Sequence, residues 1–186
     1  MKRCEWVTED PLYLDYHDHQ WGVPLHDDRE LFEMLILEGA QAGLSWITVL
    51  KKRAHYKKVF HDFQVAKVAK MTDQQLEKLL LDPGIIRNRL KVYGTRKNAL
   101  ATLRLIQETG TLENYLWSWV DHKPIINKFK KHTEIPNSTP ISEKISKDLK
   151  KRGFTFVGPT IIYAYIQAIG MVNDHTIDCD FHQNCC

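Results

Sequence analysis

An all-α fold is predicted by three observations: paired capping-box spacings, apolar residues recurring at helical intervals, and no alternating apolar–polar run typical of strands. Asp27 with Glu30 opens a helix running to about Glu38. Gly39 to Leu44 breaks it, and Ser45 can cap a next helix that carries Trp46, Val49, Leu50 and Phe60 toward a core. Thr72 with Gln75 repeats the capping signature ahead of Leu76, Leu79 and Leu80. Pro83-Gly84 marks a turn, Ile85 to Gln107 reads as one or two helices, and Thr111 to Val120 as another. Pro124, Pro136 and Pro140 make 121–141 the longest irregular connection. Ser142, with Lys144 to Lys151, begins a basic amphipathic helix; Gly153 to Gly158 forms a short hairpin; Pro159 suits the first turn of a helix ending at Gly170.

A chain of 186 residues makes one generous domain or two small, interlocked ones, taken together as one unit spanning 1–186, and should bury roughly 70% of its unfolded surface. The net charge of +3 permits nucleic-acid binding without arguing for it; the clusters Lys51-Lys52-Arg53 and Lys150-Lys151-Arg152 matter more. Met1 to Asp10 holds no apolar leader, and no window approaches the ~18 apolar residues of a membrane span, so a cytoplasmic location is expected. The four cysteines are too few for a disulfide scaffold and suggest metal ligands or plain thiols.

Glu38 is the residue that most invites a function. It stands alone after the apolar run Met34-Leu35-Ile36-Leu37, where a carboxylate must find partners, shift its pKa upward, or face a cavity holding a polar ligand. Trp6, Tyr13, Tyr16, Trp21 and Trp46 lie within the same first fifty residues and could wall in a flat, electron-poor ring. A partly exposed helix acid among core aromatics is the plainer alternative.

Cys4 and His17 near one end, with His175 and Cys179 near the other, offer two thiolates and two imidazoles, the donor set of a closed tetrahedral zinc shell. On a helical turn His175 and Cys179 would project from one face. An ion joining both ends would offset the closure entropy of a very long loop. From spacing alone Cys185, Cys186 and His182 remain alternative ligands. The segment from Lys150 to Thr160 joins two helices through a glycine-bounded turn, and the free N–H groups at the start of the second helix favour a phosphate. It resembles the helix-hairpin-helix element, which grips the DNA backbone without reading sequence. Leu81 to Arg87 is a weaker second candidate, lacking the second glycine.

Asp10-Pro11-Leu12-Tyr13, Tyr16-His17-Asp18, Trp21-Gly22-Val23-Pro24, Leu37-Glu38, Gln41-Ala42-Gly43-Leu44-Ser45-Trp46, Leu50 to Arg53, Gly84-Ile85-Ile86-Arg87, Lys150 to Gly158 and Asn173-Asp174-His175 together resemble the 3-methyladenine DNA glycosylase I family over nearly the whole chain. The match is loose from Asn114 to Pro140 and departs at the thiol-rich tail from Asp180. The resemblance implies a helix-hairpin-helix glycosylase, with that element at about 142–170, which removes 3-methyladenine from double-stranded DNA without cutting the strand. It implies a monomer with no membrane partner and a structural zinc on Cys4, His17, His175 and Cys179. Glu38 and Tyr16 would contact the excised base, Trp46 would be a pocket aromatic, and Trp6, Tyr13 and Trp21 would line the same cavity. Gln41 and Leu44 would enter the gap left in the duplex, while Lys151, Arg152, Gly153, Gly158 and Thr160 would meet the backbone. Asp174 stands where relatives in the wider superfamily keep an essential acid, and its place beside His175 argues against a free catalytic role. A zinc-stapled DNA-binding module without chemistry, or a zinc hydrolase with an open metal position, are the rival classes.

Overall fold

The structure, a computed structural model, describes residues 1–183; Cys185 and Cys186 lie outside the described residues. The chain is mostly helical. Asp10 caps α1 (Pro11–His19) by accepting from the Leu12 N–H, with Pro11 in the first turn. No apolar spacing in the sequence marks this helix, because its polar residues hide any apolar stripe. α2 (Asp28–Gln41) is capped by Asp27, as its spacing predicts. It runs on past Glu38 through Gly39 and Ala40 to Gln41 instead of breaking at Gly39. Every residue from Leu31 to Ala40 is buried, so α2 is the central rod of the molecule and is covered on all sides.

The helix expected after Ser45 is two pieces, α3 (Trp46–Leu50) and α4 (Arg53–Val59), separated by a tight turn at Lys51-Lys52. α5 (Val65–Ala69) and α6 (Asp73–Leu79) follow, the latter with the complete Thr72/Gln75 capping box. α7 (Arg89–Thr109) is a single helix that starts later than expected, where the Asn88 side chain accepts from the Lys91 N–H. α8 (Leu112–Ser118) is capped by Thr111. Within the irregular connection, β1 (Ile125–Ile126) pairs in parallel with β2 (Val172–Asn173), a small departure from the all-helical expectation. Two residues are too few to leave an alternation in the sequence. α9 (Pro140–Lys151) is capped by Thr139, with Ser142 completing the box from inside the helix instead of opening it. α10 (Pro159–Ala168) packs against α9 and α2.

The 22–25 segment is sewn to the end of α10 by Gly22 N–H donating to Gln167 O and Leu25 N–H donating to Ile169 O. Gly170 makes this approach possible. Its φ is +71°, and a Cβ there would come within 2.3 Å of the Val23 carbonyl carbon. Gly170→Ala is therefore expected to cost at least about 1–2 kcal/mol from the left-handed backbone alone, with steric overlap adding to it. Urea denaturation measures this; an unchanged midpoint and slope would contradict it. No helix among the described residues is long and apolar enough to cross a membrane.

Candidate active site

The last turn of α2, one face of α1, the start of α3 and the last turns of α10 enclose a cavity of about 160 Å³. Trp6, Tyr13, Tyr16, Trp21, Glu38, Gln41 and Trp46 all line it. That is well above the roughly 10–15 Å³ that one water needs on this measure and leaves room for a flat fused ring.

Glu38 is 5% exposed, and its carboxyl has no hydrogen-bond or ion-pair partner among the described residues. Burial alone lifts its pKa to about 8. Tyr16 is buried beside it; desolvation and then the nearby Glu38 charge push the phenol well above its ordinary range. The Tyr16 ring leans on Trp46 at 5.2 Å, and Trp6 bridges Tyr13 at 5.2 Å and Trp21 at 5.0 Å. The indole N–H of Trp46 is buried with no acceptor among the described residues. A buried acid, a phenol and an indole N–H, none with a hydrogen-bond partner among the described residues, are polar groups that a polar ring could engage.

Tyr13, Tyr16 and His17 sit three and four positions apart on α1, so the same helix serves two centres. Behind Trp6 and Trp21, the ligand atoms of Cys4, His17, His175 and Cys179 lie within 4.8 Å of one another, all buried. Cys4 Sγ and Cys179 Sγ stand 3.5 and 3.4 Å from His175 Nδ1, and Cys179 Sγ stands 3.6 Å from His17 Nε2. A tetrahedron with zinc–sulfur and zinc–nitrogen bonds of ordinary length has sulfur-to-nitrogen edges of about 3.5 Å. The other ring nitrogens are already engaged: His17 Nδ1 meets Asp18 Oδ1 at 2.8 Å and His175 Nε2 meets Trp21 O at 3.0 Å. That aims each remaining lone pair inward, the usual support for a metal-bound imidazole. The hydrogen bond between the thiols, with burial, holds Cys4 high, while the same bond and those from the two imidazoles pull Cys179 low. The donor set therefore fits a divalent ion. One expectation needs correction: His175 and Cys179 do not share a helical face. They flank a turn closed by Cys179 N–H donating to Thr176 O.

On the outer side, Gly43 (φ +80°) turns the chain so that Leu44 projects 41% exposed beyond Gln41. Phe156, from the α9–α10 connection, packs against Gly39, which brings that connection to the last turn of α2. Gly158 caps α10 without a side-chain hydrogen bond, so its first N–H groups stay open to an anion. Lys151 is exposed. Arg152 is differently placed: it pairs with Glu108 at 2.5 Å and Asp148 at 2.6 Å, and lies over the Tyr115 ring.

His132, Ile135, Ala164 and Gln167 also line the cavity and were not singled out from the sequence. His132 and Ile135 come from the irregular connection, where nothing local marks them. Gln167 carried a usable signal, since it is a lone amide in the apolar helix Tyr163-Ala164-Tyr165-Ile166. Asp174 is fully buried, and its carboxyl accepts from Tyr163 Oη, from Gln167 Nε2 at 2.7 Å and from Asn127 Nδ2 at 2.7 Å.

Residues 6–183 match the family model described as methyladenine glycosylase. The DNA-3-methyladenine glycosylase 1 of Escherichia coli (strain K12) is 51% identical over 96% of both chains. The DNA-3-methyladenine glycosylase of Haemophilus influenzae (strain ATCC 51907 / DSM 11121 / KW20 / Rd) is 47% identical over 95% of this chain and 96% of its own. A solved structure that describes 3-methyladenine recognition by 3-methyladenine DNA glycosylase I from Staphylococcus aureus superposes with a TM-score of 0.94 at 39% identity, covering 97% of this chain and 96% of that one. With the family model and relatives of this identity spanning nearly its whole length, the chain belongs to the methyladenine glycosylase family.

Proposed function

We propose that this chain is a monofunctional DNA glycosylase that hydrolyses the N-glycosidic bond of 3-methyladenine in alkylated double-stranded DNA, beginning base excision repair in the cytoplasm. The observation that carries the proposal is a buried Glu38, without a partner among the described residues, facing an aromatic-walled cavity of about 160 Å³. Its relatives named as 3-methyladenine glycosylases support the same substrate.

Methylation at N3 makes the base a cation and a good leaving group, so the protein must select and position more than protonate. Flipping the base out of the stack costs a few kcal/mol, less where pairing is already weakened. Inside the cavity the faces of Trp46, Tyr16 and Tyr13 favour a cationic ring by about 0.5–2 kcal/mol. A neutral adenine would meet a protonated Glu38 or strand a buried carboxylate. A cationic base instead favours the ionised form of Glu38, whose proton passes to solvent, and pairs with the resulting charge, its exocyclic amine donating to the carboxylate. Tyr16 Oη supplies a second polar contact, and the Trp46 indole N–H can donate to a ring nitrogen. The glycosidic bond then breaks with its electron pair passing to the base, which leaves neutral. Water forms the new bond at the sugar C1′ and loses a proton to solvent. No lysine lines the cavity among the described residues, which agrees with hydrolysis over a Schiff base.

Cys4, His17, His175 and Cys179 would hold a structural zinc. When bound, that ion supplies a closed tetrahedral link between the two ends of the chain and no open position for substrate. Residues 1–186 would act as a single unit and a monomer, with a helix-hairpin-helix element at about 142–170. Gln41 and Leu44 would fill the gap left by the flipped base, and Lys151, Gly153, Gly158 and Thr160 would contact phosphate. Arg152, already committed to Glu108 and Asp148, would add charge from one step back.

Incubation with methylated duplex DNA followed by chromatography of released bases tests the proposal. Free 3-methyladenine with intact abasic strands is the expected result. Tight DNA binding with no base release would instead make the chain a binding module.

A further inference from the structure

Gln167 lines the base cavity from the last turn of α10, and its amide Nε2 is 2.7 Å from Asp174 Oδ2. A carboxylate accepts hydrogen bonds and does not donate them, so the amide must turn its NH2 end toward Asp174. The choice between the two ends, often ambiguous for a glutamine, is thus fixed by chemistry. Asp174 cannot swing away, because Tyr163 Oη and Asn127 Nδ2 hold the same carboxyl in a fully buried position. The consequence is a carbonyl oxygen at the other end of the amide. Among the described residues Oε1 takes no hydrogen bond, and the side chain borders the cavity that holds Glu38.

We infer that Gln167, held by Asp174, is a specificity-determining residue that reads the exocyclic amine of the bound purine through its Oε1. This rests on the proposed glycosylase function. An adenine amine has two hydrogens, one for the Glu38 carboxylate and one for Gln167 Oε1. A guanine-type base has a carbonyl oxygen at that position, which would face two acceptors and repel both. Because Asp174 prevents the amide from flipping, Gln167 cannot adapt by offering its NH2 end. A site built to pair with a substrate N–H rejects analogues lacking it more sharply than shape alone does. Asp174 acts here as a positioning residue, which gives this buried acid a task.

The test compares wild type with Gln167→Met, which keeps length and apolar volume while removing the amide. Release of 3-methyladenine and 3-methylguanine from the same methylated DNA is quantified for each. The expected result is a fall of about 10- to 50-fold in kcat/KM for 3-methyladenine, with 3-methylguanine release unchanged or raised by up to about 3-fold as the opposing oxygen is removed. An equal fall for both bases would assign Gln167 a merely structural role and overturn the inference, as would an unchanged ratio. If wild type releases no base at all, the glycosylase proposal falls; if wild type works and the ratios do not move, only the role of Gln167 falls.

Discussion

Glu38→Gln is expected to lower 3-methyladenine release by about 10²- to 10³-fold while leaving the affinity for abasic DNA within about 3-fold. Glutamine keeps the volume and one acceptor but cannot carry the charge that offsets a cationic ring. The pH profile separates this from simple misfit. kcat/KM reports the ionisation of the free enzyme, so the wild type should gain activity as pH rises and level off above about 8, where the buried carboxyl ionises. The variant should lack that limb. A wild-type profile without an inflection near pH 8, or a variant with normal release, would remove Glu38 from the chemistry.

The same substitution has a second consequence for stability. Folding raises the Glu38 pKa from 4.5 to about 8, so between these values the folded chain holds a proton that the unfolded chain has lost. Stability therefore falls as pH rises through that window and is constant on either side. Glu38→Gln removes the fall. At pH 8.5 and above the variant should be more stable than wild type by up to roughly 3–5 kcal/mol, at about 1.4 kcal/mol per unit, with the advantage gone below pH 4.5. Denaturant midpoints at pH 4, 6 and 8.5 measure the difference. A residue that both weakens the fold and carries the activity is the expected signature of a site maintained for function.

The contrast between Glu33 and Glu38 explains why parts of this site could be seen in the sequence. Both acids lie on α2 and both are buried. Glu33 is surrounded by Arg53 Nε at 2.5 Å, Lys57 Nζ at 3.2 Å and Arg29 Nη1 at 3.7 Å, so its charge is matched within the fold. Glu38 follows an unbroken apolar run and has no such cations nearby, which is why its position in the sequence already pointed to a cavity. The aromatics were legible for a related reason, since Trp and Tyr crowd into a short stretch and bring large faces with polar tips. The helix caps at Asp27 and Thr72 were legible because a side-chain acceptor at fixed spacing is a local device. Features made by distant partners were not. The β1–β2 pairing joins residues far apart in sequence, and the turn between His175 and Cys179 is set by Phe129 and Thr176 carbonyls that no spacing shows. Gln167 becomes informative only once Asp174 is seen to fix which end of its amide faces the cavity.

Replacing Cys179 with Ser, or removing the ion with a chelator, should lower the melting temperature by about 10 °C, the size expected for several kcal/mol in a chain of this length. The reason lies in where the four ligands fall. Cys4 and His17 belong to one end and His175 and Cys179 to the other, so a shared ion would close a loop spanning most of the chain. Without it, two buried thiols and two imidazoles remain packed together with only weak mutual hydrogen bonds. The effect should reach the base cavity through rings, not through chemistry at the ion. Trp6 lies edge-on to His17 at 5.2 Å and Trp21 edge-on to His175 at 4.6 Å, and both indoles are cavity walls. A loosened cluster should therefore weaken binding of free 3-methyladenine, read as quenching of tryptophan fluorescence, by about 5- to 10-fold, while the pH at which Glu38 titrates moves little. Metal analysis giving one zinc per chain, and recovery of both melting temperature and quenching on adding zinc back, complete the test. A chelated protein that melts where the untreated one does would mean that packing of the two ends, and not an ion, holds Trp6 and Trp21 in place.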